Sequence, residues 1–490
     1  MKKSLLAVLA VASLTAGAQQ KNLFLDQAFW KSNPDVETVK AAIAKGNDPA
    51  AMTGNAFDGV VYAINAQAPN ESIKYMIEQK GNDVNKITHD SRTYVYWAAS
   101  RGNVEVLEYL LSKGAKVNLE DSHGASPMGF AVGGGQTDTK VYDAFIRAGA
   151  DVKVVNRDGA NLLLLGIAGD KDLALTNYFV SKGLSLQSKD AAGNTAFNYA
   201  ARTGNIALMK TLLDKGVKYT DNAMIMAAQG TRASSTTLET YQFLEGLKIK
   251  PTATNANGEN VLHILARKAN QKEIISYFIS KGVNPAQADN EGNTAFINAA
   301  ANNKDTAAIT LLLGNPKNIN QVNKKGVSAL AIAVRSNSPE IVKFLLSKGA
   351  DINTTDAEGN NLAYWLVQAY STQRAEEFEA KTALLQDKGF SLATPQKNGN
   401  TLYHLAVLKN DLPLLKRVSQ FPVDVNAKNK EGLTPLHKAA MIAKDDAALK
   451  YLLSIGAKKD ITTEFQETAF DLARENEYFS KNNIAPDFLK

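Results

Sequence analysis

The sequence contains no cysteine, only five histidines and three tryptophans, and no large excess of charge of either sign. The missing cysteine excludes disulfide frameworks, iron–sulfur clusters, zinc knuckles and thiol nucleophiles. Lys and Arg total 55 against 49 Asp and Glu, a net charge of +6 over 490 residues, which lacks the dense basic patch expected of a nucleic-acid-binding protein. With 44% apolar and 21% charged residues, the chain has the composition of an ordered globular protein.

The first 20 residues have the organisation of an export signal. They read MKKSLLAVLAVASLTAGAQQ, in which two lysines precede an apolar run from Leu5 to Ala16 and the small residues Ala16-Gly17-Ala18. A basic segment, an apolar segment and an A-x-A site in this order predict a secretory signal peptide that is cleaved after Ala18. The apolar run is too short to cross about 30 Å of bilayer hydrocarbon. We therefore expect a bacterial protein that is periplasmic or secreted and is not inserted in a membrane.

The remainder of the sequence repeats itself with a period close to 33 residues. One glycine recurs in equivalent surroundings, with most steps between 33 and 35 residues, one step of 40 and one double step of 65. These glycines are Gly124, Gly159, Gly193, Gly258, Gly292, Gly326, Gly359, Gly399 and Gly432. An alanine-rich run follows each of them, then a leucine-rich run, then a second glycine such as Gly114 or Gly349. Self-similarity at a fixed period is typical of stacked repeat proteins.

The clearest unit carries a recognisable motif. Residues 430–440 read KEGLTPLHKAA, which matches the pattern T-P-L-H-x-A and thereby resembles the ankyrin repeat family. Residues 323–353 are nearly as clear, although Ser328-Ala329-Leu330-Ala331 stands in place of T-P-L-H. The resemblance extends over nearly the whole mature chain. It implies an all-α fold, an ankyrin-repeat solenoid of about 13–14 helix–turn–helix units with short β-hairpin tips.

The residues of one unit explain why such units stack. In the 323–353 unit, Ser338 is a plausible N-cap and Pro339 suits the first helical position, where no N–H is needed. Ile341 and Leu345 then lie on one apolar stripe, and Gly349 is placed to end the helix in a left-handed conformation. A single unit cannot bury this stripe, so we expect the units to stack into an extended, curved array.

The departures from the repeat suggest boundaries. We expect a signal peptide at 1–18, an N-terminal capping repeat at 19–54, the repeat array at 55–462 and a degenerate C-terminal capping repeat at 463–490. Within the array, residues 133–140 and 231–240 are expected to lengthen loops between helices. Residues 371–381 carry an excess that is expected to extend a helix or to bulge out of the stack.

The sequence offers little material for catalysis. It contains no G-x-S-x-G elbow, P-loop, H-E-x-x-H or EF-hand loop, so we predict no enzyme activity, no cofactor and no metal site. His263, His404 and His437 occupy the fourth place of the T-P-L-H slot, where the resemblance implies that the imidazole orders the backbone near the turn. His89 and His123 lie near hairpin tips. For them we favour a structural role over a metal site, which needs several convergent ligands.

Trp97 and Trp365 share one position in their repeats, directly after the fourth place of the T-P-L-H slot, which we call the slot residue. Two interpretations are open, an exposed aromatic ladder that stacks a ligand and packing between repeats. Packing is favoured because other units carry ordinary side chains there, such as Ile264, Ile332 and Leu405.

A row of basic residues follows the alanine pair at the end of the first helix. In ankyrin stacks the first helices and hairpin tips line a concave groove, so the row is a candidate surface for an acidic partner protein. Alternatively, cations near a helix C-terminus only complement the helix dipole, at about 0.3–1 kcal/mol each. The candidate partner-binding residues are Arg101, Arg202, Arg267, Lys268, Arg335 and Lys409.

The resemblance and the leader together predict a function. We expect a monomeric scaffold that acts outside the cytoplasm and binds an unknown protein, with an acidic surface, through the concave groove. Two more specific roles remain open: an accessory or protective factor for a periplasmic enzyme of catalase-type oxidative defence, and an immunity protein against an effector. No motif in the sequence distinguishes between them.

Overall fold

The computed structural model describes residues 22–231 and 236–490 and divides the chain into two compact units. Unit 1 ends at Thr220, and unit 2 comprises Asp221–Lys490. The predicted signal peptide, residues 1–18, lies outside the described residues, as does part of the irregular segment 231–240. Both units consist of short helices joined by turns.

Unit 1 contains twelve α-helices within its described residues. Two short 3-10 helices, Leu23–Leu25 and His89–Ser91, accompany them. The α-helices are α1 (Gln27–Lys31), α2 (Val36–Ala44), α3 (Gly59–Ala66), α4 (Asn70–Ile77), α5 (Tyr94–Ser100), α6 (Val104–Ser112), α7 (Pro127–Gly133), α8 (Thr139–Arg147), α9 (Leu162–Gly166), α10 (Ala174–Ser181), α11 (Ala196–Ala201) and α12 (Ile206–Asp214).

The described part of unit 2 contains sixteen α-helices and three 3-10 helices, the latter at Pro316–Asn320, Thr372–Arg374 and Asp487–Leu489. The α-helices are α13 (Asn222–Gln229), α14 (Leu238–Gly246), α15 (Val261–Leu265), α16 (Lys272–Ser280), α17 (Ala295–Asn302), α18 (Thr306–Leu313), α19 (Ala329–Ser336), α20 (Pro339–Ser347), α21 (Leu362–Ala369), α22 (Ala375–Asp387), α23 (Leu402–Leu408), α24 (Leu412–Val418), α25 (Pro435–Ile442), α26 (Ala447–Ser454), α27 (Ala469–Glu475) and α28 (Glu477–Lys481).

Helices pack in two layers within each unit. Odd-numbered, first helices contact the first helices of neighbouring repeats, as α3, α5 and α7 do in unit 1 and α17, α19 and α21 do in unit 2. Even-numbered, second helices do the same, for example α4 against α6 and α20 against α22. The helices of the described residues thus form fourteen successive pairs. The predicted all-α repeat fold is confirmed.

Helix α20 shows how local sequence sets these bounds. Pro339 stands at its first turn, and the backbone of Ser338 has the extended conformation of an N-cap, although its hydroxyl makes no capping hydrogen bond to the helix. Ile341 and Leu345 are fully buried on the predicted stripe. Gly349 ends the helix with φ +90°, a conformation that costs other residues about 1–2 kcal/mol.

The hairpin tips are joined by backbone hydrogen bonds, which we call the tip ladder. In unit 2 the N–H of Lys324 donates to the Glu291 carbonyl at 3.0 Å, and the N–H of Ala357 donates to the Lys325 carbonyl at 2.9 Å. Gly326 makes this approach possible, because it has φ +71° and a Cβ there would lie 2.5 Å from the Ala357 nitrogen. Most of the described tips that have a following tip accept a hydrogen bond from it in this way.

The hairpins themselves are minimal. Within the described residues they contribute isolated antiparallel bridges rather than extended strands, as between Val322 and Ser328 or Val155 and Asn161. This agrees with the short tips that the repeat pattern predicts.

In unit 2 a side chain from the following repeat caps the end of several first helices. The last carbonyl groups of a helix have no partner within it, so they need one from outside. Amide Nδ2 groups donate to two such carbonyls each, at 2.9–3.4 Å. Elsewhere lysine ammonium groups donate to one or three such carbonyls. The amide donors are Asn303, Asn337 and Asn476, and the lysine donors are Lys268, Lys381 and Lys409.

The predicted excess at 371–381 extends a helix. Helix α22 has thirteen residues against nine in α20, and a 3-10 turn at Thr372–Arg374 precedes it. Lys381 on this helix is buried, and its Nζ donates to the Val334 carbonyl at 3.0 Å. Burial lowers the pKa of the Lys381 ammonium group. The insertion is thus part of the packed stack.

No helix among residues 22–231 and 236–490 has the length and apolar character that crossing a membrane requires.

Candidate partner-binding surface

The slot histidines of unit 2 are buried structural residues. The backbone N–H of the N-cap residue donates to Nδ1 of His263, His404 and His437 at 3.1 Å in each case. Their Nε2 atoms donate to carbonyl oxygens of the next hairpin at 2.9–3.0 Å. Burial lowers the pKa of all three imidazoles, which therefore stay neutral at pH 7. The predicted ordering of the turn is confirmed.

The tip histidines of unit 1 converge on one carboxylate. Nε2 of His89 and Nε2 of His123 lie 3.4 and 3.3 Å from Oδ2 of Asp90, and Arg92 reaches the same oxygen at 3.1 Å. Burial raises the pKa of Asp90, but Arg92 and the two imidazoles outweigh burial and the pKa is lowered. The side chains that the structure describes include no set of three or more His, Asp or Glu arranged to hold a metal ion. Charge pairing accounts for this cluster.

Arg101 lies at the edge of a groove in unit 1. The groove has a volume of about 350 Å³ and runs between the ends of α1, α3 and α5. Nε of Arg101 donates to Oδ1 of Asn65 at 2.9 Å. The residues that line this groove, which we call the N-terminal groove, are Gln27, Lys31, Phe57, Tyr62, Asn65, Ala66 and Arg101. Arg202, the other predicted cation of unit 1, is the C-cap of α11 and is half-buried.

An aromatic cluster continues from the N-terminal groove into the next two repeats. Phe57 stacks on His89 with ring centroids 4.4 Å apart and on Tyr62 at 5.9 Å. It also contacts Trp97, whose ring meets Phe130 at 5.7 Å. Trp97 is only 8% exposed and its indole N–H donates to Thr88. The favoured packing role of Trp97 is confirmed, while Phe57 and Tyr62 are half-exposed and face the groove.

Two predicted cations of unit 2 are engaged in helix capping. The Nζ of Lys409 donates to the carbonyls of Val367, Gln368 and Tyr370 at 2.8–3.0 Å, at the end of α21. Burial lowers the pKa of the Lys409 ammonium group. Lys268 donates to the Gln229 carbonyl at 2.7 Å, at the end of α13. Both lysines thus complement a helix dipole, that of the preceding repeat rather than of their own helix.

The two arginines of unit 2 differ in their contacts. Arg267 is paired with Glu259 at 2.8 Å. Arg335 is exposed and its guanidinium lies 5.8 Å from the ring centre of Trp365, within the range of a cation–π contact. Trp365 is half-buried, and its Nε1 has no hydrogen-bond partner among the described residues. Partner binding by the six predicted cations stays a prediction.

Sequence reasoning missed Lys31, Phe57 and Tyr62. Tyr62 occupies the same position of its repeat as Trp97, directly after the slot residue, so alignment of the repeats would have found it. Lys31 ends α1 and Phe57 lies just before α3, in a part of the chain where no glycine of the regular series marks the repeat register.

Two family models match the chain. A model described as ankyrin repeats in three copies matches residues 27–121, 60–153, 224–321, 262–356 and 297–395. A second, described as ankyrin repeats in many copies, matches residues 402–453. These segments cover more than half of the sequence. The chain belongs to the ankyrin repeat family. Ankyrin repeats indicate a scaffold for protein–protein interaction.

The chain is similar to parts of longer curated proteins. The chain is 31% identical over 207 residues to the Transient receptor potential cation channel subfamily A member 1 homolog of Caenorhabditis elegans, covering 41% of the chain and 17% of that protein. It is 22% identical over 426 residues to the human Transient receptor potential cation channel subfamily A member 1, covering 86% of the chain and 32% of that protein. Phosphocholine transferase AnkX of Legionella pneumophila is 28% identical over 149 residues, covering 28% of the chain and 15% of that protein. The chain thus spans at most about a third of the length of these relatives.

Proposed function

We propose that this ankyrin repeat protein is a non-catalytic scaffold that binds a partner protein outside the cytoplasm through the ends of its first helices and its hairpin tips. The N-terminal groove carries this proposal. It is an open cavity on that face, where exposed cations lie beside half-exposed aromatic rings. Interfaces are enriched in arginine and aromatic side chains of this kind.

The location outside the cytoplasm rests on the leader. Lys2, Lys3, the apolar run and Ala16-Gly17-Ala18 together support export and cleavage after Ala18. The intact mass of protein isolated from the periplasm or medium should correspond to a chain that begins at Gln19. A full-length chain found in the cytosol would contradict this part of the proposal.

Affinity capture tests the scaffold function. The mature chain, residues 19–490, is used as bait in extracts of the source organism, and each captured protein is then purified and its binding to the chain measured directly. At least one protein should bind at micromolar affinity or better, and high salt should slow its association if its surface is acidic. A captured catalase-type enzyme or effector toxin would identify an accessory or an immunity role, respectively. Failure of every captured protein to bind in purified form would overturn the proposal.

A further inference from the structure

We propose that the N-terminal groove binds an acidic segment of a partner protein, one that presents a carboxylate next to an aromatic or large aliphatic side chain. The inference deepens the scaffold function proposed above and rests on it. It names a binding site within the first three repeats and the chemistry of the segment that this site recognises.

The charge of the groove favours a carboxylate. Lys31 and Arg101 are both exposed and both line the cavity, and none of the lining residues is acidic. Within the described residues Lys31 has no ion pair, and the side chain of Arg101 is bonded only to the neutral Asn65. Other cations of the predicted row are already engaged, Arg267 with Glu259 and Lys409 with three carbonyls. This groove therefore retains the unpaired positive charge that attracts an anionic partner.

Asp90 lies near the aromatic side of the groove, because its neighbour His89 stacks on Phe57. It contacts Arg92, His89 and His123 through one oxygen. Its charge is compensated by these groups and does not neutralise Lys31 or Arg101.

The aromatic side of the groove favours an apolar side chain. Phe57 and Tyr62 stack on each other and line the cavity, and both are half-exposed. His89 and Trp97 also contact Phe57, so the ring is held in place before a ligand arrives. Rings held in this way contribute to binding with little loss of side-chain entropy.

The size of the groove favours a segment of chain over a flat protein surface. A volume of about 350 Å³ lies at the lower end of the range for ligand pockets, enough for a few side chains. A guanidinium and an ammonium group in one cavity with aromatic rings would fix both the charge and the position of such a segment. Polyanions such as nucleic acid fit less well, because the chain as a whole has a net charge of only +6.

Peptide selection followed by direct binding tests the inference. A phage library of random linear peptides is selected against the full mature chain, and the enriched peptides are labelled with fluorescein for anisotropy measurements. Binding is compared for wild type, for the double variant Lys31→Gln with Arg101→Gln, and for the charge-conserving double variant Lys31→Arg with Arg101→Lys. Lys80→Gln with Lys153→Gln is the matched control, because both lysines are exposed and neither lines the groove.

The enriched peptides should combine Asp or Glu with Phe, Tyr or Leu. Their affinity should fall about tenfold in the Gln double variant and should be retained in the charge-conserving and control variants, with melting transitions unchanged. The inference is overturned if enriched peptides lack acids, if none is enriched, if the control variant loses as much affinity, or if an oligonucleotide binds the groove in preference to them. A partner protein that binds the Gln double variant as tightly as wild type would refute this site while leaving the scaffold function intact.

Discussion

At the scale of single residues, histidine and lysine side chains connect one repeat to the next. His437 accepts a hydrogen bond from the backbone N–H of the N-cap residue Thr434 and donates one to a carbonyl of the following hairpin, and it is buried and neutral. Lys409 donates to three carbonyls of the preceding repeat. Both contacts bridge adjacent repeats, so each should contribute to the coupling between neighbours.

The slot histidines predict a dependence of stability on pH. Their pKa values are lowered in the folded chain, whereas the unfolded value is about 6.5. The unfolded state therefore binds more protons below about pH 6.5, so the free energy of unfolding is highest above that pH and falls as the pH drops below it, by up to about 1.4 kcal/mol per pH unit for each histidine. Urea denaturation at a series of pH values measures this fall.

His437→Asn should weaken that pH dependence and lower the stability at neutral pH. His123→Asn is the matched control, because the His123 side chain is 67% exposed and outside the slot. If the free energy of unfolding fell equally from neutral to mildly acidic pH in wild type and in His437→Asn, the buried imidazole would not be the group that titrates.

Lys409→Met should destabilise the chain because the carbonyls at the end of α21 lose their donor. We expect a loss of about 1–3 kcal/mol, the cost of leaving buried polar groups unsatisfied. Lys388→Met is the control, since Lys388 is exposed and has no side-chain partner among the described residues, and surface substitutions usually stay within about 0.5 kcal/mol. Urea denaturation compares the two. A Lys409→Met variant as stable as the control would mean that water replaces the ammonium group without loss.

At the scale of elements, the repeat glycines belong to two classes with different demands. Gly326 at a hairpin tip has φ +71° and lies against the next tip, whereas Gly349 after a helix has φ +90° and nothing within 4 Å of its Cβ position. Gly349 is needed for its conformation alone, and Gly326 for conformation and close approach together.

Gly326→Ala should therefore destabilise the chain by more than Gly349→Ala. Gly349→Ala costs about 1–2 kcal/mol because alanine must adopt the left-handed backbone conformation. Gly326→Ala carries the same cost and in addition displaces Ala357 from the Lys325 carbonyl, which breaks their hydrogen bond. Urea denaturation gives the difference, and hydrogen exchange of the Ala357 amide should accelerate only in Gly326→Ala. Equal losses of unfolding free energy in the two variants, with unchanged hydrogen exchange of the Ala357 amide, would show that the tips separate without cost.

Much of each element could be predicted from sequence because the repeat supplies it many times over. Pro339 and Gly349 gave the bounds of α20, and the slot predicted the roles of His263, His404 and His437. Contacts that leave the repeat could not be predicted. Lys409 looks like a groove cation in the sequence, since nothing local reveals that its long stem reaches back to α21. Phe57 and Lys31 meet in one groove only after α1 and α3 have packed.

At the scale of the whole molecule, the chain forms two compact units that divide at Thr220 and Asp221. No repeat glycine of the regular series lies between Gly193 and Gly258, and the chain enters α13 without a hairpin bridge. The domain boundaries expected at residues 54 and 462 concern the capping repeats and stay predictions.

Cutting the chain between Thr220 and Asp221 should leave two folded fragments. In a repeat array each unit is stabilised mainly by its neighbours, so residues 19–220 and 221–490 should each retain most of their helix and unfold cooperatively. Circular dichroism of the separate fragments, with the intact chain as reference, measures this. Near-complete loss of helix in both fragments would indicate that stability depends on contacts far apart in sequence.

The tip ladder also has a consequence for how such a chain changes its length in evolution. Most rungs join the residue before one repeat glycine to the residue two places before the next repeat glycine, as Lys325 is joined to Ala357. Deleting residues 292–325 would place Glu291 directly before Gly326, and the Ala357 amide would then meet the Glu291 carbonyl in the same geometry. Duplication of the segment would preserve the joint equally well. Recombination between equivalent positions can therefore lengthen or shorten the protein in steps of one repeat without redesigning any junction.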